Sequence, residues 1–208
     1  MTALSDFQRY FQACPLVAII RGVTPGEVEA IGEALIGAGV RIIEVPLNSP
    51  DAFVSIAKLS ANLKGRALIG AGTVLDTQSM ARAAAAGAEL IVSPNTNVEV
   101  ISATVGAGLV STPGYFTPSE AFAALAAGAH ALKLFPAEAA PPAVVKAQRA
   151  VLPKDVPLIV VGGITPERMA DYLDAGANGF GLGGALFRPG STAEQVSRQA
   201  HMFVKALA

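Results

Sequence analysis

The chain of 208 residues has a single cysteine, only two histidines and no tryptophan. The one cysteine, Cys14, excludes an internal disulfide, and we expect it to act as a small buried or half-buried side chain. His130 and His201 are too few and too badly placed for a zinc or iron cluster. We therefore expect no metal and no cofactor, and we expect His130 to pack between a strand and a helix.

Features that mark other classes of protein are also missing. The formal net charge is −1 and the Lys and Arg residues are scattered, so the sequence offers no basic face for nucleic acid. The longest uncharged stretch, 100–119, is interrupted by Gly, Ser, Thr and Pro, which predicts no membrane span. The N-terminus lacks a basic start followed by an apolar run, so we expect no signal peptide and a cytoplasmic location.

What the chain has in abundance is apolar residues, together with Ala and Gly. Hydrophobic residues make up 52% of it and charged residues only 15%, which is typical of many fully buried strands and closely packed helices. No Ser-rich, Pro-rich or charged linker divides the sequence. We therefore predict one domain over residues 1–208.

The dipeptide Ala-Gly marks a repeated unit, because it recurs between a helical pattern and a β-rich segment. Its positions are 38–39, 86–87, 107–108, 127–128 and 175–176. Glycine suits the left-handed position just beyond a helix C-terminus. Counting outward from these pairs predicts eight strands, near 16–21, 40–46, 66–71, 89–93, 109–112, 130–135, 157–161 and 179–182.

Helical patterns separate these strands, and one more helix is predicted near 4–13. Four helices should begin where a Ser or Thr cap precedes Pro at the first helical position, namely at Thr24-Pro25, Ser49-Pro50, Thr117-Pro118 and Thr165-Pro166. Eight such units predict an α/β fold, a (β/α)8 TIM barrel with an N-terminal extra helix. A doubly wound open sheet is the alternative.

Polar or otherwise special residues close nearly every predicted strand, and this favours closure around one central site. They are Arg21, Glu44, Thr73, Pro94, Pro113-Gly114, Lys133, Gly162-Gly163 and Gly183-Gly184. Barrel enzymes carry their active sites at the C-terminal ends of the strands. Because alternate residues of a strand face the same way, Lys133 and Phe135 share one face.

Lys133 and Glu44 are charged residues inside apolar strands, where a charge loses solvation unless it is paired or its pKa shifts. If their common face is the barrel interior, both converge with Arg21. Burial and the nearby arginine could then lower the pKa of Lys133 by about 3, enough for an amine nucleophile. The alternative is that each charge lies at an exposed strand end, or that the lysine protects an edge strand.

The glycine pairs after the last two strands suggest a phosphate site. Backbone N–H groups can approach an anion closely at Gly162, Gly163, Gly183 and Gly184, since no side chain intervenes. Glycine also serves turns, so the pattern by itself leaves both interpretations open.

Several motifs together resemble the family of 2-keto-3-deoxy-6-phosphogluconate and 2-keto-3-deoxy-6-phosphogalactonate aldolases over essentially the whole chain. They are Ala18-Ile-Ile-Arg-Gly, Ile43-Glu-Val-Pro-Leu-Asn-Ser-Pro, Ile69-Gly-Ala-Gly-Thr-Val-Leu, Ser93-Pro-Asn, Leu132-Lys-Leu-Phe-Pro-Ala-Glu, Val161-Gly-Gly-Ile-Thr-Pro-Glu and Gly181-Leu-Gly-Gly. The resemblance implies a class I aldolase, a carbon–carbon lyase that forms a Schiff base, and it implies a homotrimer.

The resemblance also implies a role for each site residue. Lys133 would form the Schiff base and Glu44 would handle protons. Arg21 and Thr73 would hold the pyruvate-derived carboxylate, while Pro94 and Phe135 would shape that pocket. The four glycines Gly162, Gly163, Gly183 and Gly184 would cradle the phosphate.

Two departures from the family bear on the substrate. Gluconate-type members have an arginine where this chain has Asn48, and Leu47-Asn48-Ser49-Pro50 is similar to the galactonate-type branch, so Asn48 is assigned to substrate binding. Ala185 replaces a serine that often follows the last glycine pair. We predict cleavage of 2-dehydro-3-deoxy-6-phosphogalactonate to pyruvate and D-glyceraldehyde 3-phosphate. The alternatives are the gluconate epimer, a phosphosugar epimerase or synthase, and a non-catalytic anion-binding barrel.

Overall fold

The structure, a computed structural model, describes residues 2–207 and alternates strands with helices along the chain. The strands are β1 (Leu16–Ile19), β2 (Ile42–Pro46), β3 (Leu68–Gly72), β4 (Leu90–Val92), β5 (Val110–Thr112), β6 (Gly114–Tyr115), β7 (Leu132–Leu134), β8 (Leu158–Val161) and β9 (Gly179–Leu182). The helices are α1 (Ala3–Ala13), α2 (Val28–Gly37), α3 (Ala52–Asn62), α4 (Thr77–Ala85), α5 (Val98–Gly106), α6 (Pro118–Ala126), α7 (Pro142–Arg149), α8 (Met169–Asp174) and α9 (Ala193–Lys205). Short 3₁₀ helices follow β7 and β8, at Ala137–Ala139 and Pro166–Arg168.

All the strands belong to one parallel sheet, in the order β5-β4-β3-β2-β1-β9-β8-β7-β6. Its two ends meet because β5 and β6 are consecutive in the chain and are separated only by Pro113. Proline has no N–H to continue the ladder, but its carbonyl accepts the N–H of Lys133 at 3.0 Å. The predicted (β/α)8 barrel is thus confirmed, and the fifth predicted strand, 109–112, is followed after Pro113 by a short strand, β6, that was not predicted.

The barrel interior is filled by side chains from β1 to β5 and β8, and by Ala131 just before β7. One buried cluster consists of interior residues and of side chains from α1, among them Val17, Ile19, Ile42, Leu68, Leu90, Val92, Val110, Ala131, Ile159 and Val161. Phe7 and Phe11 of α1 stack at 5.4 Å between ring centroids and belong to the same cluster. The predicted N-terminal helix therefore closes the barrel at the end where the strands begin. A larger cluster lies between the sheet and the outer helices.

The five Ala-Gly pairs end helices as predicted. In each, alanine is the C-cap, and the following glycine, at 39, 87, 108, 128 or 176, has φ between 74° and 102°. The next residue donates its N–H back into the last turn, as Val40 does to the carbonyl of Leu35 at 3.0 Å. Only glycine takes this left-handed conformation without strain, so the pattern in the sequence follows from backbone geometry.

The helix starts were predicted less well. Thr117 caps α6 in a full capping box with Glu120, as expected. The prediction was wrong for Ser49, because its hydroxyl instead accepts the N–H of Gly22 at 2.9 Å and α3 begins only at Ala52. It was also wrong for Thr24, whose carbonyl receives the N–H of Val28, the first residue of α2. At Thr165 a 3₁₀ turn precedes α8.

Cys14 and His130 are two residues for which the sequence predicted a structural role in the barrel. Cys14, the C-cap residue of α1, is buried, and burial raises the pKa of its thiol. His130 is half-buried, and its Nδ1 accepts the N–H of Ser111 at 3.1 Å. Burial lowers the pKa of His130, which keeps this acceptor neutral and helps to join the two ends of the sheet.

Candidate active site

A cavity of about 440 Å³ opens at the C-terminal ends of the strands. It brings together most of the residues singled out from the sequence, namely Arg21, Thr73, Pro94, Lys133, Phe135, Gly162, Gly163, Gly183 and Gly184. Two predicted residues are not part of this wall. Glu44 lies deeper inside the barrel, and Asn48 accepts a hydrogen bond from Arg21.

Lys133 lies in the middle of β7 and is only 7% exposed. Its Nζ is 5.0 Å from the ring centroid of Phe135, two residues further along the same face. Burial lowers the pKa of Lys133, the nearby Glu44 opposes this shift, and Arg21 adds to it. The arrangement favours an amine that loses its proton more readily than a solvated lysine does.

Glu44 lies on β2 and is 2% exposed. Its carboxyl group packs against the α-carbon of Gly72 on the neighbouring strand, where any β-carbon would overlap Oε2. Burial raises the pKa of Glu44 to about 7, although the charges of Lys133 and Arg21 act in the opposite direction. A carboxyl group with this pKa exists in both protonation states near neutral pH, as a residue that takes and gives protons must.

Arg21 is held at the rim by two side chains from neighbouring strand ends. Its Nη1 donates to Asn48 Oδ1 at 2.5 Å and to Thr73 Oγ1 at 3.4 Å. Thr73 has φ of 56°, a left-handed conformation that is unusual for a β-branched residue and that often marks functional sites. Within residues 2–207 only Nη1 of Arg21 donates to the protein, so Nε and Nη2 can meet a carboxylate.

The glycine-rich turns after β8 and β9 form another part of the wall. Within residues 2–207, the N–H groups of Gly162, Gly163, Gly183 and Gly184 donate to no protein acceptor. A β-carbon built on Gly183 would meet nothing within 4 Å, so this backbone is open to the cavity. Free N–H groups in two neighbouring turns that line one cavity make a natural anion site.

Sequence reasoning missed two charged residues in this wall. Arg188 lines the cavity beside the glycine turn, and its Nε donates to the carbonyl of Gly184 at 2.8 Å. Glu138 also lines the cavity, and its side chain lies over Gly162 and Gly163. Arg188 follows the glycine motif by four residues, a spacing that could have identified it, whereas nothing in the sequence indicated where Glu138 points.

Within residues 2–207, no group of three or more His, Cys, Asp or Glu side chains is placed to hold a metal ion. In the same part of the chain, no helix has both the length and the apolar character needed to cross a membrane. The closed parallel barrel has a cavity at the C-terminal ends of its strands and a buried amine and a buried carboxyl group inside, which is the architecture of a (β/α)8 enzyme.

Comparison with known proteins gives the family. Residues 8–201 match the family model described as aldolase, KDPG and KHG aldolase. The 2-dehydro-3-deoxy-6-phosphogalactonate aldolase of Escherichia coli strain K12 is 48% identical over 192 residues, which cover 92% of this chain and 94% of that protein. A solved structure described as native KDPGal is similarly 48% identical, with a TM-score of 0.91, over 93% of this chain and 94% of that one.

A more distant relative is the 2-dehydro-3-deoxy-phosphogluconate aldolase of Pseudomonas aeruginosa PAO1, which is 32% identical over 84% of this chain and 77% of that protein. The chain therefore belongs to the KDPG and KHG aldolase family. It is an aldolase, a carbon–carbon lyase, as the motifs predicted.

Proposed function

We propose that this protein is a class I aldolase that reversibly cleaves 2-dehydro-3-deoxy-6-phosphogalactonate to pyruvate and D-glyceraldehyde 3-phosphate. The observation that carries the proposal is the buried amine of Lys133, which opens into the cavity of about 440 Å³ and whose pKa is lowered by burial. The substrate follows from the relatives that are 48% and 47% identical, since both carry the name of a phosphogalactonate aldolase.

The neutral amine of Lys133 attacks the C2 carbonyl of the keto acid, and loss of water gives an iminium. This cation withdraws electrons from the C3 to C4 bond. When the C4 hydroxyl loses its proton, the C3 to C4 bond breaks and the aldehyde leaves. The electron pair of the broken bond stays on the pyruvate part, which is then an enamine on Lys133. Protonation of the enamine at C3, followed by hydrolysis, releases pyruvate and restores the amine.

Glu44 carries the protons of this cycle, directly or through water. Its pKa of about 7 lets the carboxylate accept a proton in one step and the carboxylic acid return it in another. The side chain lies below the cavity rather than in its wall. This position keeps the carboxylate away from the substrate's own negative charges.

Arg21 and Thr73 bind the carboxylate next to the C2 carbonyl. The planar fork of the guanidinium matches two carboxylate oxygens, and Asn48 fixes its orientation through the 2.5 Å hydrogen bond. We propose that Asn48 binds substrate through this contact with Arg21. Pro94 and Phe135 contribute the apolar wall beside the methyl group of pyruvate.

The phosphate binds at the part of the wall that the two glycine turns after β8 and β9 form. The free N–H groups of Gly162, Gly163, Gly183 and Gly184 supply neutral donors. Arg188 supplies positive charge, and it has no carboxylate within ion-pair distance among the described residues. The arginine thus offers the contact that Ala185, in place of a serine, cannot make.

Borohydride reduction in the presence of pyruvate tests this chemistry. We expect an irreversible pyruvyl adduct on Lys133, found by mass spectrometry of the digested protein, and none in the Lys133→Met variant, which replaces the amine with an apolar chain of similar length. The folding control is the circular dichroism spectrum of the variant. A wild-type protein that acquires no adduct would exclude the aldolase mechanism and favour an epimerase, a synthase or a non-catalytic anion-binding barrel.

The choice of substrate is tested by comparing kcat/KM for the phosphogalactonate and phosphogluconate epimers. We expect the galactonate epimer to be preferred. A preference for the gluconate epimer would leave the chemistry intact and reassign the substrate.

Two further parts of the proposal are a homotrimer, to be measured by analytical ultracentrifugation, and a cytoplasmic location, which suits a phosphorylated substrate that membranes retain.

A further inference from the structure

The glycine turn after β8 is held by an arginine that lies outside the cavity. Arg168 Nη1 donates to the carbonyl of Gly163 at 3.2 Å. Gly162 and Gly163 line the cavity of about 440 Å³, whereas Arg168 is not part of its wall. The carbonyl oxygen of Gly163 is therefore bound to a cation outside the cavity. This matters because a carbonyl oxygen that faced a phosphate would repel it.

The same hydrogen bond also orients the next peptide N–H. The carbonyl and the N–H of one trans peptide unit point in opposite directions. The N–H of Ile164 shares the peptide unit of the Gly163 carbonyl, and within residues 2–207 it donates to no protein acceptor. Ile164 lines the cavity as well, so this N–H is available to an anion bound there.

A buried tyrosine hydroxyl connects Arg168 to the loop after β7. Tyr172 lies on α8 and its side chain is fully buried. Its Oη accepts a hydrogen bond from Arg168 Nη2 at 3.1 Å and donates to the carbonyls of Ala137 and Ala140, each at 3.2 Å. These two carbonyls belong to the 3₁₀ helix after β7 and to its C-cap. One guanidinium and one hydroxyl thus join the loops that follow two neighbouring strands.

The glycine turn needs such support because it has no side chains of its own to fix it. Gly162 has φ of 117° and Gly163 has φ of 59°, and a glycine backbone loses more conformational freedom on ordering than any other residue. A turn that is already held in its binding conformation does not have to be ordered when the ligand arrives, so binding is tighter. The hydrogen bonds of Arg168 and Tyr172 supply this order from behind the cavity wall.

We propose that Arg168 and Tyr172 are positioning residues for phosphate binding, which hold the turn at Gly162 and Gly163 so that its N–H groups meet the phosphate. The inference rests on the proposed function. Neither residue lines the cavity, so both act through the turn. They should therefore affect the binding of a phosphorylated substrate and leave the chemistry at Lys133 unchanged.

The test measures the reverse reaction, in which pyruvate condenses with D-glyceraldehyde 3-phosphate or with unphosphorylated D-glyceraldehyde. Tyr172→Phe removes the hydroxyl and keeps the ring, and Arg168→Lys keeps the charge but loses the planar fork that holds two partners. Tyr10→Phe is the matched control, because the Tyr10 hydroxyl also donates to a backbone carbonyl, that of Gly65 at 2.8 Å, but Tyr10 lies on α1 at the other end of the barrel. The readouts are KM and kcat for each aldehyde and the rate of borohydride trapping with pyruvate.

We expect Tyr172→Phe and Arg168→Lys each to raise KM for the phosphorylated aldehyde by roughly 3- to 10-fold, as the loss of a hydrogen bond predicts. KM for the unphosphorylated aldehyde, kcat and the trapping rate should remain those of the wild type, and Tyr10→Phe should change none of these values. The charge of Arg168 by itself cannot explain this pattern, since Tyr172→Phe leaves every charge in place.

A wild-type KM in Tyr172→Phe would overturn the inference, and so would an equal rise in KM for both aldehydes, which would indicate a general disturbance of the barrel. If Tyr172→Phe does not fold, the exposed Arg168 decides, and an unaltered KM in Arg168→Lys would show that only its charge matters. Failure of the proposed function has a different signature. A wild-type protein that is never trapped with pyruvate lacks the Schiff-base chemistry, and one with the same KM for both aldehydes lacks the phosphate site.

Discussion

The carboxyl group of Glu44 depends on a neighbour that has no side chain. Gly72 on β3 leaves the space that Oε2 occupies, and any other residue there would push the carboxyl group away. Glu44 and Gly72 are 28 positions apart, and only the pairing of β2 with β3 brings them together. The position of the Glu44 carboxyl group therefore depends on the absence of a side chain at Gly72.

Ionisation of Glu44 should make stability depend on pH. Burial raises its pKa to about 7 in the folded protein from 4.5 for an ordinary glutamate. Its contribution to stability is complete below about pH 4.5 and is lost as pH rises through about 7, because the folded state then binds the proton that the unfolded chain has released. The difference between these pKa values corresponds to about 3 kcal/mol.

We therefore expect Glu44→Gln to gain stability relative to wild type as pH rises from about 4.5 to about 8, as measured by urea denaturation at several pH values. The exposed Glu99→Gln serves as the matched control and should show no such trend. Parallel curves for Glu44→Gln and wild type would mean that the carboxyl group has an ordinary pKa.

Arg188 should determine affinity for the phosphate without affecting the chemistry at Lys133. Arg188→Gln removes the charge, and the loss of a charge-assisted hydrogen bond should raise KM for the phosphorylated substrate by roughly 10- to 100-fold. Trapping with pyruvate, which has no phosphate, should be unchanged. Arg198→Gln on the outer face of α9 is the control. An unaltered KM in Arg188→Gln would remove this residue from the phosphate site.

At the scale of the elements, the ends of helices were easier to predict than their starts. A left-handed glycine after Ala ends five helices, and this is a local property of the backbone. A Ser or Thr before Pro is a weaker signal, because a hydroxyl can equally bond to another loop. Ser49 does this when it accepts the N–H of Gly22, which fixes the loop just after Arg21.

The capping box of α6 gives an element-scale prediction. Thr117 Oγ1 accepts the N–H of Glu120, and the Glu120 carboxylate accepts the N–H groups of Phe116 and Thr117, which lowers the pKa of Glu120. Thr117→Ala should cost about 1 kcal/mol of unfolding free energy, measured by urea denaturation. Thr77→Ala, at the first position of α4, removes a side chain without a hydrogen bond among the described residues and should cost much less.

At the scale of the whole molecule, α1 and the strands make one interior. Phe7 is 2% exposed and belongs to the buried cluster in the barrel interior. Phe7→Ala should cost about 3 to 5 kcal/mol in unfolding free energy and lower the melting temperature, since it leaves a large void in the barrel. Met202→Ala, which truncates a large side chain that is 51% exposed on α9, should change stability little. Equal effects of the two variants would mean that α1 does not close the barrel.

The sequence by itself determined the repeated strand and helix units, the closed barrel, the helix ends and the strand positions of Lys133 and Glu44. It placed Arg21 at the end of the first strand, and the structure places it in the turn just after β1. The features that the sequence determined depend on local backbone preference and on the alternation of buried residues, which can be read from neighbouring positions.

Only the tertiary structure decided which of these residues share one space. Closure of the sheet through Pro113 brings Lys133 on β7 and Glu44 on β2 into one interior, although they are far apart in the chain. The turn after β9 places Arg188 beside the glycine backbone, and Glu138 reaches over a different turn. Long-range contacts arise from the packing of whole elements, so a short stretch of sequence does not predict them.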